Sequence, residues 1–316
     1  MGSKIIAGIV DSRGCRLCQD SSEDDTIHGD TIFEIGSITK VFTSLLLADM
    51  VQRGEVRLDD PVSRYLPNSC RVPSRNGREI TLLDLSTHSS GLPRLPDNLG
   101  FWRLLWHRDN PYGAYSTERL YAFLSNYRLT RDVGQKYEYS NVGAGLLGHA
   151  LALSVGRGYE ELLVDRICRP LALASTLVTI TPDLAPRLAQ GHDRRAKAAA
   201  YWELPGIEGT GALHSSANDL MKFLSASLGL IQTHLQPALD LALISRRPTM
   251  TPSVRIGLGW HITTVEDGNE LHWHDGGTGG FASFVGLNRK AQIGVAVLAN
   301  SERSVTDIGM GILTRK

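Results

Sequence analysis

The chain has 316 residues, 42% hydrophobic and 21% charged, with 33 basic and 33 acidic side chains and a formal net charge of +0. That length and balance suit a globular unit with a sizeable core. They exclude a basic nucleic-acid-binding tail, because no Lys/Arg stripe is interleaved with aromatics, and the longest apolar stretches, such as Val41–Met50, fall far short of the roughly 20 residues that span a bilayer.

The N-terminal stretch Met1–Val10 has no charged segment followed by a long apolar core and a small-residue cleavage site. As it stands the chain reads as cytoplasmic, or as periplasmic or secreted if a leader has been removed. Lys4–Val10 is an apolar run ending in the turn signal Asp11-Ser-Arg-Gly14, and Cys15–Gln19 reads as its hairpin partner. Ser21–Asp30 is polar and loop-like. Phe33–Arg53 reads as a helix preceded by a short strand, with Gly36 at its start, helical spacing at Val41, Leu45, Leu46 and Ala48, and Gly54 at its end. Leu58–Pro67 is a Pro-bounded connector, and Thr81–His88 a short helix. Residues 94–115 read as an ordered surface excursion.

Helices are expected at Glu118–Tyr127, Val142–Val155 and Glu160–Arg169, then an irregular, locally basic stretch at Ala185–Trp202. Ala217–Leu230 reads as an amphipathic helix capped by Ser215 or Ser216. The period then changes. Gly257–Val265, Glu270–His274, Gly280–Leu287 and Gln292–Ala299 read as short strands, followed by a last helix over 303–314. This order predicts an α+β fold whose antiparallel sheet gathers both chain ends and is flanked by helices. Residues 1–57 and 205–316 would form the sheet region and 58–204 a helix-rich insertion, in one interleaved unit.

Four cysteines are present: Cys15, Cys18, Cys70 and Cys168. Cys15-Arg-Leu-Cys18 invites a zinc or redox reading, but no second pair supplies the remaining ligands. On a strand, residues three apart also point to opposite faces. Structural or free thiols are the expectation.

Three elements carry chemistry. In Ser37-Ile-Thr-Lys40, residues i and i+3 share a helix face, so the lysine amine can approach the serine hydroxyl. A serine hydroxyl needs a neighbour to accept its proton, and lysine can do so when its pKa is lowered. The helix start also offers N–H groups to an oxyanion. Four residues with two fixed recur by chance, and alone they read as an N-cap serine with a surface lysine. In Tyr139-Ser140-Asn141, two side chains two apart on a tight segment can share a cleft. Such a tyrosine relays protons if a cation such as Lys40 depresses its pKa, and the asparagine can hold the lysine and a substrate amide. Its bland counterpart is a core tyrosine beside a helix cap. The third is Trp273-His274-Asp275-Gly276-Gly277-Thr278-Gly279-Gly280-Phe281, whose glycines let a substrate lie along a strand edge. Its bland counterpart is a glycine-rich hairpin.

Together and in this order, the three elements resemble the serine β-lactamase and penicillin-binding-protein superfamily. The likeness is to the branch holding class C β-lactamases, D-alanyl-D-alanine carboxypeptidases, D-aminopeptidases and related carboxylesterases. Phe33–Lys40, Glu55–Pro61, Leu85–Pro93, Gly211–Asp219, Gly257–Trp260 and the His274 segment look like that branch's landmarks, in its order, over nearly the whole chain. The resemblance implies a serine hydrolase with an acyl-enzyme on Ser37, and general-base and general-acid work shared by Lys40 and Tyr139. It implies an oxyanion hole from the N–H groups of Ser37 and Gly277, and substrate binding by Asn141, His274, Gly276 and Thr278. No cofactor and no metal are implied. The partner would be a small-molecule substrate: a β-lactam, an ester or a D-amino-acid peptide. Oligomeric state is left open.

Where classical β-lactamases of the superfamily have Lys-Thr-Gly, this chain has His274-Asp275-Gly276. His274 attracts a carboxylate only when protonated, with an ordinary pKa of about 6.5. The attraction would then be lost as pH rises through that value. Asp275 would repel a carboxylate if it faces the cleft, although strand alternation allows it to face away. The departure points away from efficient β-lactam turnover and toward ester or D-amino-acid substrates. The segment His272-Trp-His274-Asp275 lacks the following histidine of a metal-dependent lactamase motif. His149 and His214 read as structural, and His88 as a residue that orients backbone in its motif. A penicillin-recognising sensor without turnover is the alternative of another class. The presence of serine, lysine and tyrosine together favours the enzyme.

Overall fold

Both ends of the chain meet in one sheet. The computed structural model describes residues 4–19, 27–100, 110–266 and 268–315. Most of the expected loop over 21–30 and the central part of the expected excursion, 101–109, lie outside the described residues. Strands β1 (Ile5–Asp11) and β2 (Gly14–Gln19) form the predicted hairpin. β3 (Ile32–Glu34) is followed by a single 3-10 turn, Gly36–Ile38, and then by α1 (Thr39–Gln52). The expected helix over 33–53 is thus three pieces. The break falls at Gly36, whose φ of +48° suits glycine.

The middle of the chain is helical: α2 (Leu82–Ser86), α3 (Thr117–Asn126), α4 (Asn141–Ser154) and α5 (Tyr159–Leu163), the last running into a π-turn at Val164–Cys168. A short strand β4 (His214–Ser216) pairs with β3, and α6 (Ala217–Ser227) follows, with the Ser216 hydroxyl accepting from Asp219 N as the cap. Helix α7 (Gln236–Leu243) and the short strands β5 (Arg247–Pro248) and β6 (Val254–Ile256) come next. The chain ends with β7 (His261–Thr264), β8 (Glu270–Gly277), β9 (Ala282–Asn288), β10 (Ile293–Ala299) and α8 (Thr306–Leu313).

The large sheet has eight antiparallel strands in the order β2-β1-β10-β9-β8-β7-β6-β5. Strand β1 joins it beside β10, pairing Ile5 with Ala299 and Val10 with Gly294, which brings the N-terminal hairpin to the C-terminal strand run. Helix α1 runs through the core rather than along the surface. From Thr39 to Met50 every residue is buried, whichever face it occupies. A helix buried on every face is a central one, and its first turn is therefore shielded from solvent. That shielding decides the chemistry of Lys40.

The predicted strand over 257–265 begins only at His261, because Gly257-Leu-Gly259 forms a turn against α1. The strand predicted to stop at His274 continues to Gly277, because β9 goes on pairing it through Gly277–Ala282. Helix α7 and strands β5 and β6 were not legible in the sequence. Cys15 and Cys18 are exposed free thiols on the edge strand β2. No helix of the described residues is long and apolar enough to cross a membrane.

Candidate active site

Ser37 sits in the 3-10 turn ahead of α1, and Lys40 one turn later in the helix. The Lys40 Nζ lies 2.9 Å from Ser37 Oγ and donates to the Thr210 carbonyl oxygen at 2.6 Å. Lys40 is buried, with only 2% of its surface exposed. Burial, reinforced by the charge of Arg94, holds its amine well below 10.5. A neutral amine beside a serine hydroxyl is what proton abstraction requires.

Tyr139 lies across from this pair. Lys40 Nζ stands 4.9 Å from the centroid of its ring. Its hydroxyl interacts with Ser37, yet burial dominates and lifts the phenol above its ordinary pKa near 10. The expectation of a tyrosine activated by a neighbouring cation is therefore corrected. Burial disfavours the Lys40 ammonium and the Tyr139 phenolate alike, which leaves Tyr139 a hydroxyl able to donate. His88 holds this segment rather than only the backbone of its own motif: the Ser140 N–H donates to His88 Nδ1 at 3.2 Å, Glu138 N donates to the His88 carbonyl at 2.7 Å, and the rings of His88 and Tyr139 pack at 4.5 Å. Asn141 begins α4, but its Nδ2 donates to the Tyr112 hydroxyl at 3.3 Å rather than meeting Lys40, and its Oδ1 is buried without a partner.

The opposite side is strand β8. Strand β7 pairs with it only as far as Trp273, so residues 274–277 present an edge to the site. A Cβ added at Gly276 would lie 2.1 Å from the Ile35 carbonyl oxygen and 3.0 Å from Ser37 N, so only glycine permits this approach. The Thr278 N–H donates to Phe281 O at 3.0 Å. The neighbouring pair Gly277–Ala282 is then one that exchanges no hydrogen bonds, and the Gly277 N–H points away from β9 toward the serine turn. A Cβ on Gly36 would meet that nitrogen at 2.7 Å. Gly36 and Gly276 thus bring the Gly277 nitrogen and the Ser37 nitrogen close together beside the serine turn.

Two expectations for this strand change. His274 is buried, 1% exposed, and lies against His261 and Tyr139 at ring separations of 5.1 and 6.2 Å. Its Nδ1–H donates to the Asp275 carbonyl at 2.6 Å, while burial and the neighbouring His261 and Lys40 hold its pKa well below 6.5. A neutral, enclosed imidazole supplies no charge to a carboxylate, so the proposed anion-binding role of His274 fails. Thr278 is also buried, because its Oγ1 donates to the Glu34 carboxylate at 2.6 Å. It braces the β8–β9 hairpin against β3 and does not face a substrate. Burial pushes Glu34 up to about 7 against the opposing effect of its bonds from Thr278 and the Trp202 N–H.

Ser37, Tyr139, Gly276 and Gly277 line a cavity of about 430 Å³ together with Arg94, Arg194, His261, Asp275 and Glu302. Asp275 borders this cavity and is exposed, but it shares a sheet face with its partner Phe284, which packs against α8, and its carboxylate accepts from Thr306 Oγ1 at 3.2 Å. Arg94 follows immediately after the Leu85–Pro93 landmark. It was the readable signal that sequence reasoning passed over, a cation placed one residue beyond a recognised motif. The Thr210 carbonyl and His261 carried no such signal.

The fold and the serine-lysine-tyrosine site define a serine hydrolase, and the chain belongs to the beta-lactamase family, whose model matches residues 11–313. It is 32% identical over 283 residues to the D-alanyl-D-alanine-carboxypeptidase/endopeptidase AmpH of Escherichia coli, covering 85% of this chain and 71% of that protein. It is 26% identical to a beta-lactamase of Pseudomonas fluorescens, over 87% of this chain and 80% of that one. Among solved structures, the class C beta lactamase of Rhodobacter sphaeroides superposes with a TM-score of 0.78 at 26% identity, covering 95% of this chain and 90% of that one. These likenesses place the chain in the class C branch.

Proposed function

We propose that the enzyme hydrolyses amides or esters of D-amino acids through an acyl-enzyme on Ser37, with β-lactams as poorer substrates. The observation that carries the reading is the contact of the buried Lys40 Nζ with Ser37 Oγ at 2.9 Å. Lys40 takes the hydroxyl proton as Ser37 Oγ bonds to the substrate carbonyl carbon. The resulting oxyanion is held by the N–H groups of Ser37 and Gly277, an arrangement worth several kcal/mol, on the order of 3, in such sites. Tyr139 donates its hydroxyl proton to the departing nitrogen or oxygen and regains one from the Lys40 ammonium. Water then attacks the acyl-enzyme with the same groups acting in reverse.

Both substrate classes have support in the relatives: one is named a D-alanyl-D-alanine carboxypeptidase and endopeptidase, another a beta-lactamase. The neutral His274 leaves the strand side without a cation for a carboxylate, a change that bears on β-lactams and D-alanyl-D-alanine termini alike, so the preference for D-amino-acid substrates rests on the 32% identity to the carboxypeptidase and endopeptidase. Parallel assays with an N-acyl-D-alanyl-D-alanine peptide, p-nitrophenyl acetate and nitrocefin test this. The peptide or the ester is expected to exceed nitrocefin in kcat/KM by tenfold or more. Nitrocefin turning over faster than both would overturn the substrate preference. Stoichiometric penicillin binding with no turnover of any substrate would leave a sensor and sink the hydrolase.

A further inference from the structure

We infer that Arg94 is the specificity-determining residue that receives a carboxylate on the leaving group of the substrate, a task the strand side of the cleft does not perform. The inference rests on the acyl-enzyme reading of Ser37 and adds the substrate's charge to it. The cavity holds few candidates for the task. Lys40 is committed to Ser37 and the Thr210 carbonyl. Arg194 is already paired with Glu302 at 3.1 Å. His274 is enclosed and bonded to a carbonyl. Asp275 and Glu302 repel an anion from their own sides of the cavity.

Arg94 is exposed, lines the same cavity, and has no carboxylate within ion-pair distance among the described residues. Its guanidinium lies 5.2 Å from the centroid of the Tyr139 ring, the residue that hands a proton to the leaving group. A charge borne just beyond the scissile bond comes within its reach. The backbone beneath it is anchored to the same segment: Asn141 N–H donates to the Arg94 carbonyl at 3.1 Å, and Ser140 Oγ to the Pro93 carbonyl at 2.7 Å. The cation is therefore positioned by the Tyr139-Ser-Asn segment rather than carried on a free loop. A guanidinium presents paired donors that match a carboxylate and stays charged across the working pH range. Relative to a Lys-Thr-Gly strand, the anion-reading charge has crossed to the facing loop.

The test uses two esters of one acyl group, 3-carboxyphenyl and 3-carbamoylphenyl phenylacetylglycinate, which differ only in the charge of the leaving group. Wild type is expected to favour the carboxylate ester by at least tenfold in kcat/KM. Arg94→Gln should bring the ratio close to one through KM, Arg94→Lys should restore part of it, and Arg194→Gln should keep it. A wild type without preference, an unchanged ratio in Arg94→Gln, or a ratio lost in Arg194→Gln or His274→Gln would overturn the assignment. A fluorophosphonate label on Ser37, read in each variant, separates the two levels. Labelling with an unchanged ratio refutes Arg94 alone, whereas no labelling of wild type refutes the acyl-enzyme and Arg94 with it.

Discussion

On the α1 side of the cleft, side chains carry the proposed chemistry: Ser37, Lys40 and Tyr139 are set by a buried helix turn and by a segment held through His88. On the β8 side the contribution is backbone, with the glycines at 276 and 277 bringing a strand edge against the serine turn. The side chains flanking those glycines are either turned inward, as His274 and Thr278 are, or of the wrong charge for an anion, as Asp275 is. The difference teaches that bond-breaking and substrate reading are separable here. One side holds the serine, lysine and tyrosine proposed to handle protons, while the other departs from the Lys-Thr-Gly charge pattern.

The strongest way to break this division is Lys40→Arg. It keeps a positive charge and much of the length but supplies a guanidinium that does not deprotonate in proteins. If Lys40 acts as a base, kcat/KM should fall by about 10³-fold or more, measured with p-nitrophenyl acetate. Retention of activity within tenfold would show that charge, not proton transfer, is the role of this side chain.

Gly276→Ala tests the backbone side. Its Cβ would have to displace the Ile35 carbonyl, so the strand must retreat from Ser37. A loss of about 10²-fold in kcat is expected from a displacement of this kind, with a stability cost of about 1–3 kcal/mol from overpacking. Urea melts beside initial rates separate the two. An alanine variant with wild-type kcat would remove the close approach from the mechanism.

A test remote from the chemistry concerns acid stability. His261 and His214 are both held down to about 4 by burial. Unfolding releases them to about 6.5, so between these values the unfolded chain binds more protons than the folded one. Stability should therefore fall as pH drops from about 6.5 to 4, by up to about 1.4 kcal/mol per unit for each group. Urea midpoints across that window check it, and His261→Gln should shallow the slope. A slope of the opposite sign would mean the histidines are charged in the folded state.

How much of this was legible depended on range. Ser37 and Lys40 were readable because their spacing is itself the chemistry, and Tyr139 because it belongs to a short, ordered motif. The glycines of β8 were readable as a place of close approach, since no other residue type permits one. The inward turn of His274 was not readable, because it depends on His261 of a neighbouring strand and on Tyr139, more than a hundred residues away. The same holds for Thr278, whose hydroxyl is claimed by Glu34 across 244 positions. Strands β5 and β6, of two and three residues, are too short to show a period and exist only because the sheet extends to them.

The central claim is that Ser37 becomes acylated, and intact-protein mass spectrometry with peptide mapping tests it most directly. After incubation with benzylpenicillin or a fluorophosphonate, the account predicts one adduct per chain, located on the peptide carrying Ser37 and absent from Ser37→Ala. An adduct that persists in Ser37→Ala, or one that maps to another serine, would contradict it.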